Sequence, residues 1–357
     1  MGWANPGLRK DLENMKAVKW FGPRDMRTVD VEKPVPKPHE ALIRIESTGV
    51  CGSDLHYYAD GRIGQAVITE PLILGHEYAG IVEAVGAEAD PSLVGKRVAV
   101  EPGIPCLKCE WCHTGHYNVC PDMVFPGGPG HDGALREYIA VHARFCFPVP
   151  DSMSAAEAAM LEPLAVAVHT VELASLKPGE SAAILGLGPI GLLTAQVAKA
   201  AGVSLLFGTD LEDYRVAAGA RHGVDRAFNA SKTGTVETIL SETNGRGVDV
   251  VFDCARSSVT PSLACRVARP AGRVILTGIS GTEEDPLPVS VARRKELTLQ
   301  WCRRFRFSYP RSLALLASGR VDVASLVTHS YPLEQTGEAF ELVLNFRDNV
   351  LKASIDQ

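Results

Sequence analysis

Residues 181–210, SAAILGLGPIGLLTAQVAKAAGVSLLFGTD, decide the fold of this chain. The run AAILGL is long enough for one buried strand, and LLTAQVAKAAG continues with the spacing of an amphipathic helix. Between them stand Gly186, Gly188 and Gly191. Gly186 permits a tight turn, Gly188 lets backbone approach a pyrophosphate, and Gly191 lets the helix pack closely on the strand. Pro189 and Ile190 complete the loop and open the helix, whose N-terminus offers free N–H groups and a positive dipole end to phosphates. A second apolar run ends in Asp210, about 20 residues beyond the last glycine, where a carboxylate accepts hydrogen bonds from a ribose hydroxyl. The same charge repels a 2′-phosphate, so the expected dinucleotide is NAD rather than NADP. Three glycines alone would only punctuate an alanine-rich segment; the flanking strand, the helix and the terminal acid make the site. Arg215 lies close enough in sequence to cover the adenine or ribose, or else to be a solvated helix arginine.

Working outward, strands and helices keep alternating after Asp210: RAFNA as strand, TVETILSETNG as helix, VDVVFDCA as strand, SVTPSLACRVARPAG as helix, then RVILTGIS and ELTLQW as strands. That order predicts a doubly wound parallel sheet. The first third differs: short strands broken by Pro and Gly, as in EKPVPKPHE, ALIRIE and VGKRVAVEP, predict a small β-rich barrel or sandwich. The helical pattern SAAEAAMLEPLAVAVHTVELASL bridges the two, and YPRSLALLASG, TGEAFELVLN and LKASID most simply rejoin the first unit. The expected organisation is α/β, with a catalytic domain from residues 1–163 and 304–357 and a nucleotide domain from 164–303.

The 357 residues suffice for two cores; 46% apolar and 22% charged residues describe an ordinary globular protein. A net charge of −6 without long single-sign blocks argues against nucleic acid. No apolar run approaches the ~20 residues of a membrane span. The first fourteen residues read as a loose tail without a signal region. Nine cysteines, an odd number, suit reduced thiols and metal better than a disulfide framework, which points to the cytoplasm.

Cys106, Cys109, Cys112 and Cys120 form C-x2-C-x2-C-x7-C, a set that can close tetrahedrally on zinc with no open position, hence a structural site. Acidic neighbours (Glu101, Glu110, Asp122) disfavour a zinc ribbon for nucleic acid. A second site needs separate stretches: Cys51 in VCGSD, His76 and Glu77 in GHEYAG, and Glu162 in LEPLA. A zinc protease is excluded, because no second histidine follows Glu77 at the required spacing. One thiolate, one imidazole and one carboxylate leave a fourth position open, the pattern of a catalytic zinc.

With GHEYAGIVEAVGAEA, VCGSDLHYY, the four-cysteine loop and GLGPIG in this order, the chain resembles the zinc-dependent medium-chain dehydrogenases. LEPLAVAVH, TDLEDYR and LVTHSYPLEQTGEAFE look like their sorbitol (polyol) dehydrogenase branch. The resemblance implies a GroES-like catalytic domain, a Rossmann domain, and NAD-linked oxidation of a sugar alcohol. Cys51 and His76 match the catalytic zinc ligands; Glu77 matches a ligand or close neighbour; Glu162 stands where other alcohol dehydrogenases have a cysteine. Which glutamate binds directly is left open. The four cysteines depart from the animal sorbitol dehydrogenases and agree with microbial and fungal xylitol or arabinitol enzymes. The resemblance further implies Tyr57, Phe125 and Arg304, with Glu162, around the substrate. Ser53 and His56 follow Cys51 closely enough to relay the proton of the substrate hydroxyl. Dimers or tetramers are usual in the family, and ELTLQW is a plausible edge for pairing. A 2,3-butanediol, threonine or short-chain alcohol dehydrogenase is the alternative; a non-enzymatic NAD-binding protein would not need the intact metal set.

Overall fold

The computed structural model describes residues 13–357. The expected tail therefore lies outside the described residues for its first twelve positions, while Asn14 already opens the strand Asn14–Gly22.

The nucleotide unit is a six-stranded parallel sheet. Its spatial order is Arg226–Asn229, Leu205–Asp210, Ser181–Leu185, Val248–Asp253, Ala268–Leu276 and Thr298–Trp301. This is the doubly wound order that reverses beside the first strand. Ala182, Ala183, Ile184 and Leu185 are all fully buried, as expected of a central strand covered on both faces. The segment 268–272, expected as the end of a helix, instead begins a strand. The helix Thr260–Val267 stops at Ala268, which is extended, and Pro270 could not sit inside a helix. The short helix Val289–Lys295 is a further element that the sequence pattern did not announce.

Asp249 ties this sheet together. Its Oδ2 accepts from the Ser181 amide (2.9 Å) and hydroxyl (2.8 Å), and its Oδ1 accepts from Arg246 Nη2 (2.7 Å) and Arg269 Nε (2.6 Å). Burial alone would raise its pKa, but both arginines and Ser181 outweigh that and hold it well below the usual carboxylate range. A depressed folded-state pKa stabilises the fold above the unfolded value of about 3.9, and that contribution is lost as pH falls below about 4. Asp249→Ala is expected to lower unfolding free energy by about 1–3 kcal/mol at neutral pH, since it leaves the part-buried Arg269 guanidinium and the Ser181 amide without their carboxylate partner. Denaturant unfolding compared at neutral and acid pH measures this; the gap between the two proteins should narrow in acid.

The β-rich unit is a seven-stranded sheet and a three-stranded sheet, both built around the first third of the chain. Its central strand, Glu40–Gly49, pairs antiparallel with Glu77–Val85, so that Gly49 lies opposite Glu77. On its other side the C-terminal strand Lys352–Asp356 pairs antiparallel, with Ser354 opposite Gly49. The C-terminal strand thus lies in the sheet of the first third of the chain. A core of Trp20, Tyr58, Leu135 and Phe340 fills the space beneath the helix Thr336–Leu344. Helix Gly52–Asp60, absent from the strand-like reading of this third, starts directly after Cys51 and ends on Gly61, whose φ of 67° closes the cap.

Helix Leu161–Leu173 joins the units and runs through the expected boundary at residue 163; Tyr309–Ala317 packs on it, and so does Pro189–Ala200.

Candidate active site

Local structure places the nucleotide loop first. Gly186 has φ of 91°, a conformation that side chains disfavour, and a Cβ there would press on the backbone of Ala255. A Cβ on Gly191 would run into the Gly186 carbonyl oxygen, so helix Pro189–Ala200 can approach its strand only with glycine here. A Cβ on Gly188 would meet only Arg215, at 3.6 Å, leaving room above the helix N-terminus. Asp210 accepts from the Leu187 amide at 2.8 Å and from Leu211 and Glu212 at 2.8 and 3.1 Å. It therefore braces the glycine loop as well as presenting negative charge beside it. Arg215 is no solvated helix residue: its Nη1 lies 3.9 Å from Asp210 and its guanidinium 4.7 Å over the Phe346 ring. Pro189 and Ile190 form the first turn of the helix.

The candidate metal cluster assembles at the ends of strands and the start of a helix. Cys51 precedes helix Gly52–Asp60, His76 precedes strand Glu77–Val85, and donor atoms of Cys51, His76 and Glu77 all lie within 4.8 Å of one another. His76 Nδ1 faces Asp54 Oδ1 at 3.3 Å, which leaves Nε2 for the cluster. Glu77 is ion-paired with the buried Lys352, delivered by the C-terminal strand, and a Cβ at Gly49 would collide with that pair. Glu162 is buried beside this group but is not one of the three donors.

The electrostatics of these residues fit a cation. Burial and the neighbouring Glu77 push the Cys51 thiol up, against His76 and Lys352. Burial works against a proton on His76, but Asp54 and Cys51 outweigh it and raise the imidazole well above its ordinary value. Burial raises Glu162 to about 7, with His76 opposing and Glu77 assisting. Both carboxylate oxygens of Asp54 and Nδ1 of His76 are buried without an aligned hydrogen-bond partner. Thiol, imidazole and carboxylate converging in a largely buried site with an excess of acid form a donor set suited to zinc.

The four-cysteine loop also fits. Cys106, Cys109, Cys112 and Cys120 hold their sulfur atoms within 4.8 Å of one another, with Cys109 at 3.4 Å from Cys112 and 3.8 Å from Cys120. Tetrahedral zinc with bonds of about 2.3 Å sets sulfurs about 3.8 Å apart. The nine cysteines are free thiols.

The expected substrate residues also converge. The Arg304 guanidinium stacks 3.9 Å over the Phe125 ring, and Phe125 lies 5.0 Å from the His76 ring. Burial and Arg303 lower the proton affinity of Arg304, with Glu162 and Tyr57 restoring part. Tyr57 is buried close enough to feel Asp54, Arg303 and Arg304. Of the two relay candidates, Ser53 donates to the Cys51 sulfur at 3.3 Å. His56 instead reaches across to the nucleotide unit, its Nε2 3.2 Å from the Ile279 carbonyl oxygen. That contact sets the cluster beside the C-terminal ends of the parallel strands, where such sheets bind ligands.

Sequence reasoning missed Asp54 and Lys352. Asp54 could have been found, since an acid three residues after Cys51 falls in the same first helical turn. Lys352 had no such signal, because only strand register brings it to Glu77.

Comparison with known proteins follows the same division. Residues 37–151 match the model of the alcohol dehydrogenase GroES-like domain, and residues 189–318 match that of the zinc-binding dehydrogenases. Sorbitol dehydrogenase of Bacillus subtilis is 40% identical over 343 residues, covering 96% of this chain and 97% of the relative. The chain belongs to the zinc-dependent medium-chain dehydrogenases, in their sorbitol dehydrogenase branch. Probable D-xylulose reductase A of Neosartorya fischeri is 38% identical, with 87% of this chain and 89% of the relative covered. Among solved structures, an alcohol dehydrogenase from Escherichia coli CFT073 complexed with NADH superposes with a TM-score of 0.89 at 28% identity, over 96% and 99% of the two chains.

Proposed function

We propose that this dehydrogenase oxidises a sugar alcohol, of the sorbitol, xylitol or arabinitol kind, to the corresponding ketose with NAD. The observation that carries the reading is the stack Arg304–Phe125–His76. It sets a half-buried hydrogen-bond donor of fixed geometry beside the metal cluster, which a multiply hydroxylated substrate satisfies and a simple alkanol does not. The names of the Bacillus sorbitol dehydrogenase and the fungal xylulose reductase support it.

Zinc held by Cys51, His76 and Glu77 supplies the Lewis acidity that lets a hydroxyl lose its proton near neutral pH, and NAD supplies the hydride acceptor. The chain does the rest. Arg304 and Tyr57 hold hydroxyl groups away from the reacting carbon, and Phe125 walls the pocket against water. Glu162, poised near neutrality by burial, exchanges the released proton. Ser53, bonded to the Cys51 sulfur, takes it up next, and His56, on the same helix Gly52–Asp60 but turned to the Ile279 carbonyl, is the candidate for the outward step. Asp54 fixes the His76 ring, and Lys352 fixes Glu77. Asp210 selects NAD by accepting from its ribose while repelling a 2′-phosphate, with Arg215 lying over the adenosine side. The glycine loop with Pro189 and Ile190 receives the pyrophosphate. A second zinc on the four cysteines is structural.

Polyols, 2,3-butanediol, threonine and ethanol compared by NADH formation test the reading. Rates on polyols should exceed those on ethanol by about 100-fold, because a simple alkanol leaves Arg304 unpaired. Equal rates would overturn it.

A homo-oligomer, dimer or tetramer, belongs to the proposal. Strand Thr298–Trp301 is the outer edge of the nucleotide sheet, and Trp301 on it is 63% exposed. Light scattering of the purified protein reads the oligomeric state. Free cysteines support a reducing, cytoplasmic setting, and among the described residues no helix is long and apolar enough to cross a membrane.

A further inference from the structure

The four-cysteine loop touches more than its own sulfurs. Its 3-10 turn Tyr117–Val119 ends directly on Cys120, and both inner residues of that turn face the segment carrying Arg304. Asn118, itself buried, donates from Nδ2 to the Arg303 carbonyl oxygen at 2.8 Å. The Tyr117 hydroxyl accepts from the Phe307 amide at 2.7 Å and donates to Glu101 at 2.7 Å. Its ring meets the Phe307 ring edge-on at 4.9 Å. Arg306 Nη1 returns to the Gly115 carbonyl oxygen at 3.3 Å. Between these clamps, Arg304 and Phe307 both adopt left-handed backbone, with φ of 51° and 53°. Non-glycine residues hold that conformation only when their surroundings impose it. At Arg304 itself this conformation accompanies a guanidinium laid on the Phe125 ring.

We propose that Asn118 and Tyr117 are positioning residues for substrate recognition, holding the 303–307 backbone so that Arg304 is fixed on the face of Phe125. The four-cysteine loop then governs how well the polyol binds as well as how stable the domain is. The inference rests on the reading of Arg304 as a substrate residue.

The test uses the full-length, zinc-loaded enzyme and three variants, Asn118→Ala, Tyr117→Phe and Arg304→Ala, with sorbitol and xylitol as probes. Tyr117→Phe keeps the ring, so it remains informative if Asn118→Ala fails to fold. Each positioning variant should raise polyol KM about tenfold with kcat changed less than about twofold and NAD KM unchanged. The polyol dissociation constant of the enzyme–NADH complex, read by NADH fluorescence, should rise in parallel. Combining either variant with Arg304→Ala should add nothing to the KM of Arg304→Ala alone. A loss of melting temperature with unchanged polyol KM and dissociation constant, or full additivity with Arg304→Ala, overturns the positioning role. If Arg304→Ala itself leaves polyol KM unchanged, the substrate role of Arg304 falls and the inference with it.

Discussion

His76→Ala is expected to reduce kcat/KM for the polyol by at least about 10⁴-fold, because it removes one of three donors and with it the Lewis acid. Metal analysis should show zinc falling from about two ions per chain to about one, the remaining ion on the four cysteines. NADH binding should be unchanged, since the nucleotide loop shares no residue with the cluster. The variant also takes the His76 imidazole away from the buried Asp54 carboxylate, at a cost of about 1–3 kcal/mol. Cys51→Ser separates the two effects: it leaves the Asp54–His76 contact in place and should match His76→Ala in turnover while melting close to the parent. Turnover that persists with the Cys51–His76–Glu77 site free of metal would overturn the chemistry.

Asp210→Ser should have the second largest effect, on the other substrate. The carboxylate accepts three backbone amides, one of them from Leu187 within the glycine loop. A serine hydroxyl cannot replace them and carries no charge. Loss of charge-assisted hydrogen bonds at this level corresponds to a fall in kcat/KM for NAD of about 100-fold. NADP should gain at the same time. Repulsion of its 2′-phosphate is removed, and Arg215, 3.9 Å from Asp210 in the parent, is freed to pair with it. A faster rate with NADP in the parent enzyme would contradict the assignment of Asp210 at the outset.

The parts of the molecule written in local sequence were the readable ones. Gly186, Gly188, Gly191 and Asp210 serve one strand, one turn and one helix, so their spacing alone carries the geometry. The same holds for Cys106 to Cys120, which close on each other within one loop. Cys51, His76 and Glu162 come from separate stretches, linked by donor chemistry and by resemblance rather than by periodicity. Segment 268–272 was misread because five residues ending in Pro-Ala-Gly can close a helix or open a strand; pairing of Ala268 with Val248 decides it. Lys352 and Asn118 act through register and through contacts between distant loops, and no short-range pattern encodes either.

The pairing of Glu77 with Lys352 spans 275 positions of the chain. While the protein is being synthesised, Glu77 is made long before its ammonium partner, and the whole nucleotide domain must emerge in between. A nascent first domain therefore carries the Glu77 carboxylate without its Lys352 partner. The two metal positions are therefore completed at different stages: the cysteine loop is whole as soon as Cys120 leaves the ribosome, whereas the other cluster gains its Lys352 partner only once the final strand has docked.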